Sequence, residues 1–300
     1  MATFFGEVVA LPSRAGLEEE EEEEAQEDCH IRLALEGKRK VDVVWNTTLN
    51  ASTEEQFPCS KFILAVGQNA VAFLSSFVLS SGCWEVVGSV KLWNEWSRTS
   101  DRTNVLPTDS FCLFYRLISD PTILLCQCNC YVAEDQQFQW LEKEGRDRDR
   151  TMTSHPLYDH LQCLQVFGCM QKIDLQVLVL SSCSITDYKT TESILTLPSP
   201  FLKAVKTTAF KDQVCCSLLE QPNIVRDLPA AVLSYCQVWQ IPAVFYQCYT
   251  DILKLDLVTV EVFQPVLSSK ILKSLVKDIS RSTELLTKLV TTNEIHNIYT

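Results

Sequence analysis

Phe62-Ile63-Leu64-Ala65-Val66-Gly67-Gln68-Asn69-Ala70-Val71-Ala72-Phe73-Leu74 is the stretch that decides the fold. Its first five residues are uninterrupted apolar side chains, the pattern of a strand covered on both faces. Gly67 supplies a tight turn, and residues 70–79 have the composition of a buried helix. A fully apolar strand feeding a helix predicts an α/β domain rather than an all-β sandwich, whose strands alternate.

Working outward, strands are predicted over 84–92, 110–117, 122–132, 173–180 and 243–248, and helices over 134–143, 227–240, 257–263, 265–277 and 282–291. Pro229 suits the first turn of its helix, and Pro242 ends it. Ser282-Thr283-Glu284 offers capping chemistry at the start of the last one. The first clear element pattern comes near Cys59. Residues 62–84 and 228–250 are free of charge over 23 positions each, long enough to span a bilayer. Their serines, glutamines and prolines fit a buried helix and strand joined by a turn instead, so no membrane insertion is expected.

The 300-residue chain is 46% hydrophobic and 21% charged, which provides a sizeable core and excludes a wholly disordered chain. Residues 1–61 contain 14 acidic and 6 basic side chains, giving −8 of the net charge of −12. With no basic face, nucleic acid is not an expected partner. Residues 1–28, with the unbroken run from Glu18 to Glu24, read as a disordered acidic tail. Residues 29–292 read as one α/β domain. Within it, residues 144–165, including Arg146-Asp147-Arg148-Asp149-Arg150, form a charged surface insert. Residues 293–300 read as a flexible C-terminal tail.

The 14 cysteines have neither a secretory leader nor a small scaffold to go with them. They are expected as free thiols in a reducing cytoplasm. Cys126, Cys128 and Cys130 share one face of the predicted strand 122–132. Structural zinc usually takes cysteine pairs two to four residues apart with a second pair elsewhere, so period-two spacing reads as small apolar side chains in a packed layer. No metal or cofactor is expected, and His155, His160 and Cys163 in the insert read as a chance grouping. His30 lies beside the acidic tail and His296 near the end, leaving no well-placed base for a nucleophilic enzyme. Gly67 lacks the further glycines of a dinucleotide fingerprint, because Gln68 and Asn69 follow.

The end of the chain has a chemistry of its own. Ile298, Tyr299 and Thr300 form a hydrophobic–tyrosine–any tail with a terminal carboxylate. Burying Ile298 contributes about 1.5–3 kcal/mol, Tyr299 offers a large ring with a polar tip, and a lysine bond to the carboxylate adds about 1.5–3 kcal/mol. Ordering the tail offsets part of this, so one tail alone binds weakly.

Several blocks resemble the proteasome assembly chaperones. They are Phe4-Phe5-Gly6-Glu7, Pro58-Cys59-Ser60-Lys61-Phe62, Asn69 through Phe77, Lys91-Leu92-Trp93-Asn94-Glu95-Trp96, Cys130-Tyr131-Val132-Ala133-Glu134-Asp135-Gln136-Gln137, Leu197-Pro198-Ser199-Pro200-Phe201-Leu202, Leu219 through Val225, Leu228 through Trp239, and the final Ile298-Tyr299-Thr300. The resemblance covers nearly the whole chain. It departs at 144–165, where the family pattern runs from Lys143 straight into Val166, and it is loose over 31–55.

The resemblance implies a non-enzymatic, ATP-independent chaperone with a three-layer α/β/α sandwich distantly like nucleoside phosphorylases and nucleosidases. It implies a heterodimer with proteasome assembly chaperone 2 that gathers proteasome α subunits into a ring and blocks unproductive pairing of two α rings. Ile298, Tyr299 and Thr300 match the tail that such proteins insert between neighbouring α subunits. The implied location is the cytoplasm, with the nucleus or the endoplasmic reticulum surface as further sites. Two other readings remain open at this point: a phosphorylase-like enzyme or small-molecule-binding protein on the same sheet, and an acidic scaffold acting through its glutamate run.

Overall fold

Four parallel strands occupy the middle of an eight-stranded sheet in the computed structural model, which describes residues 30–31, 41–46, 56–92, 107, 109–141, 166–172, 174–190 and 197–298. The chain divides into two units, Met1–Lys40 and Val41–Thr300. In the first, His30 and Ile31 are helical and exposed. The expected tail 1–28 and insert 144–165 lie outside the described residues.

The second unit contains strands β1 (Val41–Trp45), β2 (Phe57–Pro58), β3 (Lys61–Val66), β4 (Trp84–Leu92), β5 (Cys112–Leu117), β6 (Asp120–Cys128), β7 (Met170–Gln171), β8 (Gln176–Ser184), β9 (Phe201–Lys206) and β10 (Ala243–Thr250). Its helices are α1 (Gln68–Phe77), α2 (Glu134–Leu141), α3 (Asp227–Val238), α4 (Leu257–Glu261) and α5 (Ile279–Ile298). The large sheet runs β1-β4-β5-β6-β3-β8-β10-β9. Strands β6, β3, β8 and β10 are parallel, and the remaining pairings are antiparallel. Strands β2 and β7 form a separate parallel pair.

The decisive stretch folds as its composition dictates. Phe62, Ile63, Leu64 and Ala65 of β3 are fully buried, and Leu64 lies between Cys126 of β6 and Val179 of β8. Alternate side chains enter two separate cores. Phe62, Leu64, Val177, Val179 and Phe245 face one with Trp140 and Leu141 of α2 and Leu228 and Val232 of α3. Ile63, Ala65, Leu178, Leu180 and Val244 face the other with α1, Val260 of α4, and Leu286 and Val290 of α5. The second unit is therefore a three-layer α/β/α sandwich, in which strands covered on both sides need apolar residues throughout. All eight residues of β10 are buried.

Gly67 makes the turn into α1 at φ +86°, a backbone region open chiefly to glycine. Gly88 meets a different demand: a Cβ there would lie 2.7 Å from Trp45 Cε3 and 2.9 Å from the Val44 carbonyl oxygen. Strand β1 can pack against β4 only because that side chain is missing.

Several expected boundaries move. Residues 122–132 do not form one strand; β6 stops at Cys128, and Asn129 Nδ2 donates to the carbonyl oxygens of Pro107 and Asp109, 2.6 Å each. Strand 173–180 becomes 176–184 because Asp174 takes φ +58°, incompatible with an extended strand. The helix expected over 265–277 is a 3-10 turn at Gln264–Ser268 that ends at an extended Ser269. Its apolar positions are nevertheless buried, at Val266, Leu267, Ile271, Leu272 and Leu275.

The last helix runs over 279–298 rather than 282–291. Ser282 is not its cap. Its hydroxyl donates to the Asp278 carbonyl oxygen at 2.7 Å, while Asp278 Oδ1 accepts from the Arg281 amide at 3.1 Å. A strand, β1 at Val41–Trp45, also precedes Cys59.

Candidate functional site

Of the expected site residues, Ile298 is the last position of α5. Ser282, Leu286 and Val290, four residues apart, fall on one helix face and are buried in the α1 layer. Val290 is the last buried anchor described, and Ile298 follows eight residues on as the final helical position. At about 1.5 Å per residue that is roughly 12 Å further along the axis. The Ile298 backbone is thus carried by a helix fixed to the body. Tyr299 and Thr300 lie outside the described residues.

A second locus forms where the parallel strands end. A cleft of about 260 Å³ opens at the carboxyl ends of β3, β8 and β10, lined among others by Val66, Gly67, Cys130, Ser181, Gln247 and Tyr249. The turn after β3 leads to α1 on one face, while the connection after β6 leads to α2, and that after β8 passes through β9 to α3, on the other. Such a switch of direction leaves a crevice in open α/β sheets. Asp227 and Leu228, which open α3, form part of its wall.

Ser181 and Gln247 are buried, 8% and 7% exposed. Arg226 Nη1 lies 3.6 Å from Asp187 Oδ1 at the rim. Burial pushes the Cys183 thiol up to about 12, aided by Asp187 and opposed by the Gln247 side chain and Arg226. Tyr131 and Ile224 are largely exposed beside the opening. No histidine is among the described lining residues.

The cysteine face read from the sequence is real, and it is larger than the spacing showed. Cys126 and Cys128 point into the core that contains Phe62 and Trp140, with Cys130 packed against it. Antiparallel pairing of β5 with β6 sets Cys112 directly opposite Cys128. Cys112 Sγ lies 3.7 Å from Cys126 Sγ, and Cys128 Sγ lies 3.6 Å from Cys130 Sγ. Cys112 has no local spacing signal, since 13 residues separate it from Cys126. Only strand pairing brings it in.

Apolar side chains also stand exposed away from the cleft. Val238 and Trp239 are 77% and 54% exposed at the end of α3, where Lys172 Nζ sits 3.9 Å from the Trp239 ring centroid. Ile252, Leu253 and Val258 are exposed around the connection from β10 to α4. No described helix is long and apolar enough to cross a membrane.

Sequence comparison sets this sandwich in a family. The family model described as Proteasome assembly chaperone 4, labelled PAC1, matches residues 1–149 and 155–300. The chain belongs to the proteasome assembly chaperone family. Within it, the chain is similar to proteasome assembly chaperone 1 of Homo sapiens, with 57% identity over 308 residues, spanning 100% of this chain and 99% of the relative. Proteasome assembly chaperone 1 of Mus musculus is 59% identical over 309 residues with the same coverage, and that of Danio rerio is 42% identical over 306 residues, spanning 100% of both. Among solved structures, Pyrococcus furiosus PbaB, an archaeal proteasome activator, matches at 13% identity and TM-score 0.47, covering 87% of this chain and 99% of that one.

Proposed function

We propose that the chain works as an ATP-independent chaperone in assembly of the proteasome core particle. The observation that carries this reading is the full-length similarity to proteins named proteasome assembly chaperone 1. In this reading the chain pairs with proteasome assembly chaperone 2. The pair gathers α subunits into a ring and keeps α rings from dimerising off the pathway. It acts in the cytoplasm and is not an enzyme.

Ile298, Tyr299 and Thr300 are assigned as the plug that enters a pocket between neighbouring α subunits. Two features support the assignment: the side-chain chemistry of the three residues, and a helix α5 that is anchored at Leu286 and Val290 and runs to Ile298. A short tail binds weakly, but a second contact from the body or the partner raises its effective concentration, so overall avidity exceeds either contact alone by about 10²–10⁴. Modest affinity per contact also permits release as the ring matures.

The test is capture of α subunits by the chain co-expressed with its partner chaperone, comparing full length with a form lacking Ile298–Thr300. Clearly weaker capture by the truncated form supports the plug. Equal capture removes the tail from the mechanism, and no capture by either form removes the chaperone reading.

The cleft at the strand ends favours a second reading, a small-molecule-binding protein, because crevices at direction switches in α/β sheets receive ligands. A thermal-shift screen with nucleosides and inorganic phosphate separates the two. A saturable rise in melting temperature favours the second reading.

A further inference from the structure

We propose that Cys112, Cys128 and Cys130 form a binding site for one soft d¹⁰ metal ion, with monovalent copper preferred over zinc. The three sulfur atoms lie within 4.8 Å of one another, and Cys128 Sγ and Cys130 Sγ are 3.6 Å apart. A metal with sulfur bonds of about 2.3 Å holds its ligand atoms about 3.7–4.0 Å from each other. Side-chain rotation of less than an ångström or so therefore closes the trio around an ion, with no change in the strand register that pairs Cys112 with Cys128.

The chemistry of the set selects the ion. All three donors are thiols, and soft sulfur ligands favour Cu(I) and Zn(II) over magnesium, calcium or manganese. Structural zinc completes a tetrahedron with a fourth ligand. Cys126 Sγ touches Cys112, but it stands outside the group in which every sulfur is near every other. Three sulfurs satisfy Cu(I), while zinc would have to take its fourth ligand from solvent.

The position also provides an entry path. Cys112 and Cys128 are buried, whereas Cys130 is half-buried and forms part of the wall of the strand-end cleft. An ion entering the cleft meets Cys130 first. On binding, each S–H bond breaks, its electron pair forms the sulfur–metal bond, and its proton leaves to solvent. No oxidant or reductant is consumed.

The test uses the reduced, metal-free full-length chain. Cu(I) is titrated anaerobically in competition with a chromophoric chelator, and the loaded protein is studied by X-ray absorption. The expected result is one copper per chain with a first shell of three sulfurs. Cys130→Ala should weaken binding at least tenfold, and Cys216→Ala, outside the trio, should leave it unchanged. Zn(II) titrated in parallel should bind more weakly than Cu(I).

If Cys112→Ala or Cys128→Ala fails to fold, the half-buried Cys130 variant and the sulfur count of the wild-type protein still decide. No stoichiometric uptake, uptake unaffected by Cys130→Ala, or a shell dominated by nitrogen and oxygen would overturn the site.

Discussion

Asn69, fully buried in the first turn of α1, is bonded on both sides to the loop before α4: its Oδ1 accepts from the Asp256 amide at 3.0 Å, and its Nδ2 donates to the Lys254 carbonyl oxygen at 3.3 Å. Asp256 in turn caps α4, accepting from the Thr259 amide and hydroxyl at 2.8 Å each. One side chain thus couples the start of α1 to a loop nearly 190 residues later. Replacing Asn69 with Leu removes both bonds from a fully buried side chain, at a cost of about 1 kcal/mol. Urea unfolding of Asn69→Leu should show a midpoint lowered accordingly. An unchanged midpoint would mean that water replaces these bonds at no cost.

Phe62 anchors the opposite layer. It is fully buried, and its ring lies 5.5 Å from that of Phe167 in an edge-on arrangement. Phe62→Ala should destabilise the protein by about 3–5 kcal/mol, combining lost transfer energy with a cavity that close-packed strands cannot refill. Denaturant unfolding monitored by circular dichroism measures this, and a loss below about 1 kcal/mol would show that the layer relaxes.

The described residues on either side of the charged segment 144–165 are joined by two backbone hydrogen bonds. The Val166 amide donates to the Trp140 carbonyl oxygen at 3.3 Å, and the Phe167 amide to that of Leu141 at 3.0 Å. With 144–165 removed, each donor would stand four positions after its acceptor, the spacing of α-helical bonds. Deleting 144–165 should therefore extend α2 and leave stability within about 1 kcal/mol of the full chain, since closing a long loop changes the free energy little. Loss of cooperative unfolding in the deletion variant would contradict this.

Lys203 Nζ lies 2.6 Å from Glu220 Oε1, and the Tyr188 hydroxyl donates to Glu220 Oε2 at 2.9 Å. The pair ties edge strand β9 to the segment that runs beside it. The Lys203 bond is the main cause holding the Glu220 carboxyl below its usual value. A carboxyl depressed in the folded state contributes stability above its unfolded pKa and loses it as pH falls through the folded one. Burial pulls the Lys203 ammonium down, but its bonds to Glu220 and Tyr188 outweigh this and raise it. Its contribution is complete below the unfolded lysine pKa and disappears as pH rises through the folded value. Because the Glu220 side chain is 55% exposed, solvent screening limits the pair to about 1 kcal/mol at most. Glu220→Gln should lower the urea midpoint slightly at pH 7, and the difference from wild type should vanish in acid. A difference that persists in acid would place the effect elsewhere.

The central strands and the two charge-free stretches were legible because burial on both faces leaves an uninterrupted apolar signature, as in Phe62–Ala65 and Ala243–Cys248. Strands β1 and β9 were not, because they stand at the two edges of the sheet, where burial is partial and the apolar signal is diluted by Asp42, Lys203 and Lys206. Ser282 looked like a cap because its residue type suits one, but Asp278, four residues earlier, takes that place. The cysteine cluster was legible only along β6. Cys112 joins it through strand pairing, which period-two spacing cannot reveal.

The most direct test of the central claim is α-ring formation from isolated α subunits, followed on native gels with the chain and its partner chaperone present. The account predicts that full-length chain raises the yield of single α rings, and that removing Ile298–Thr300 lowers it while thermal stability stays the same. Equal ring yield with and without the three residues, at equal stability, would contradict it.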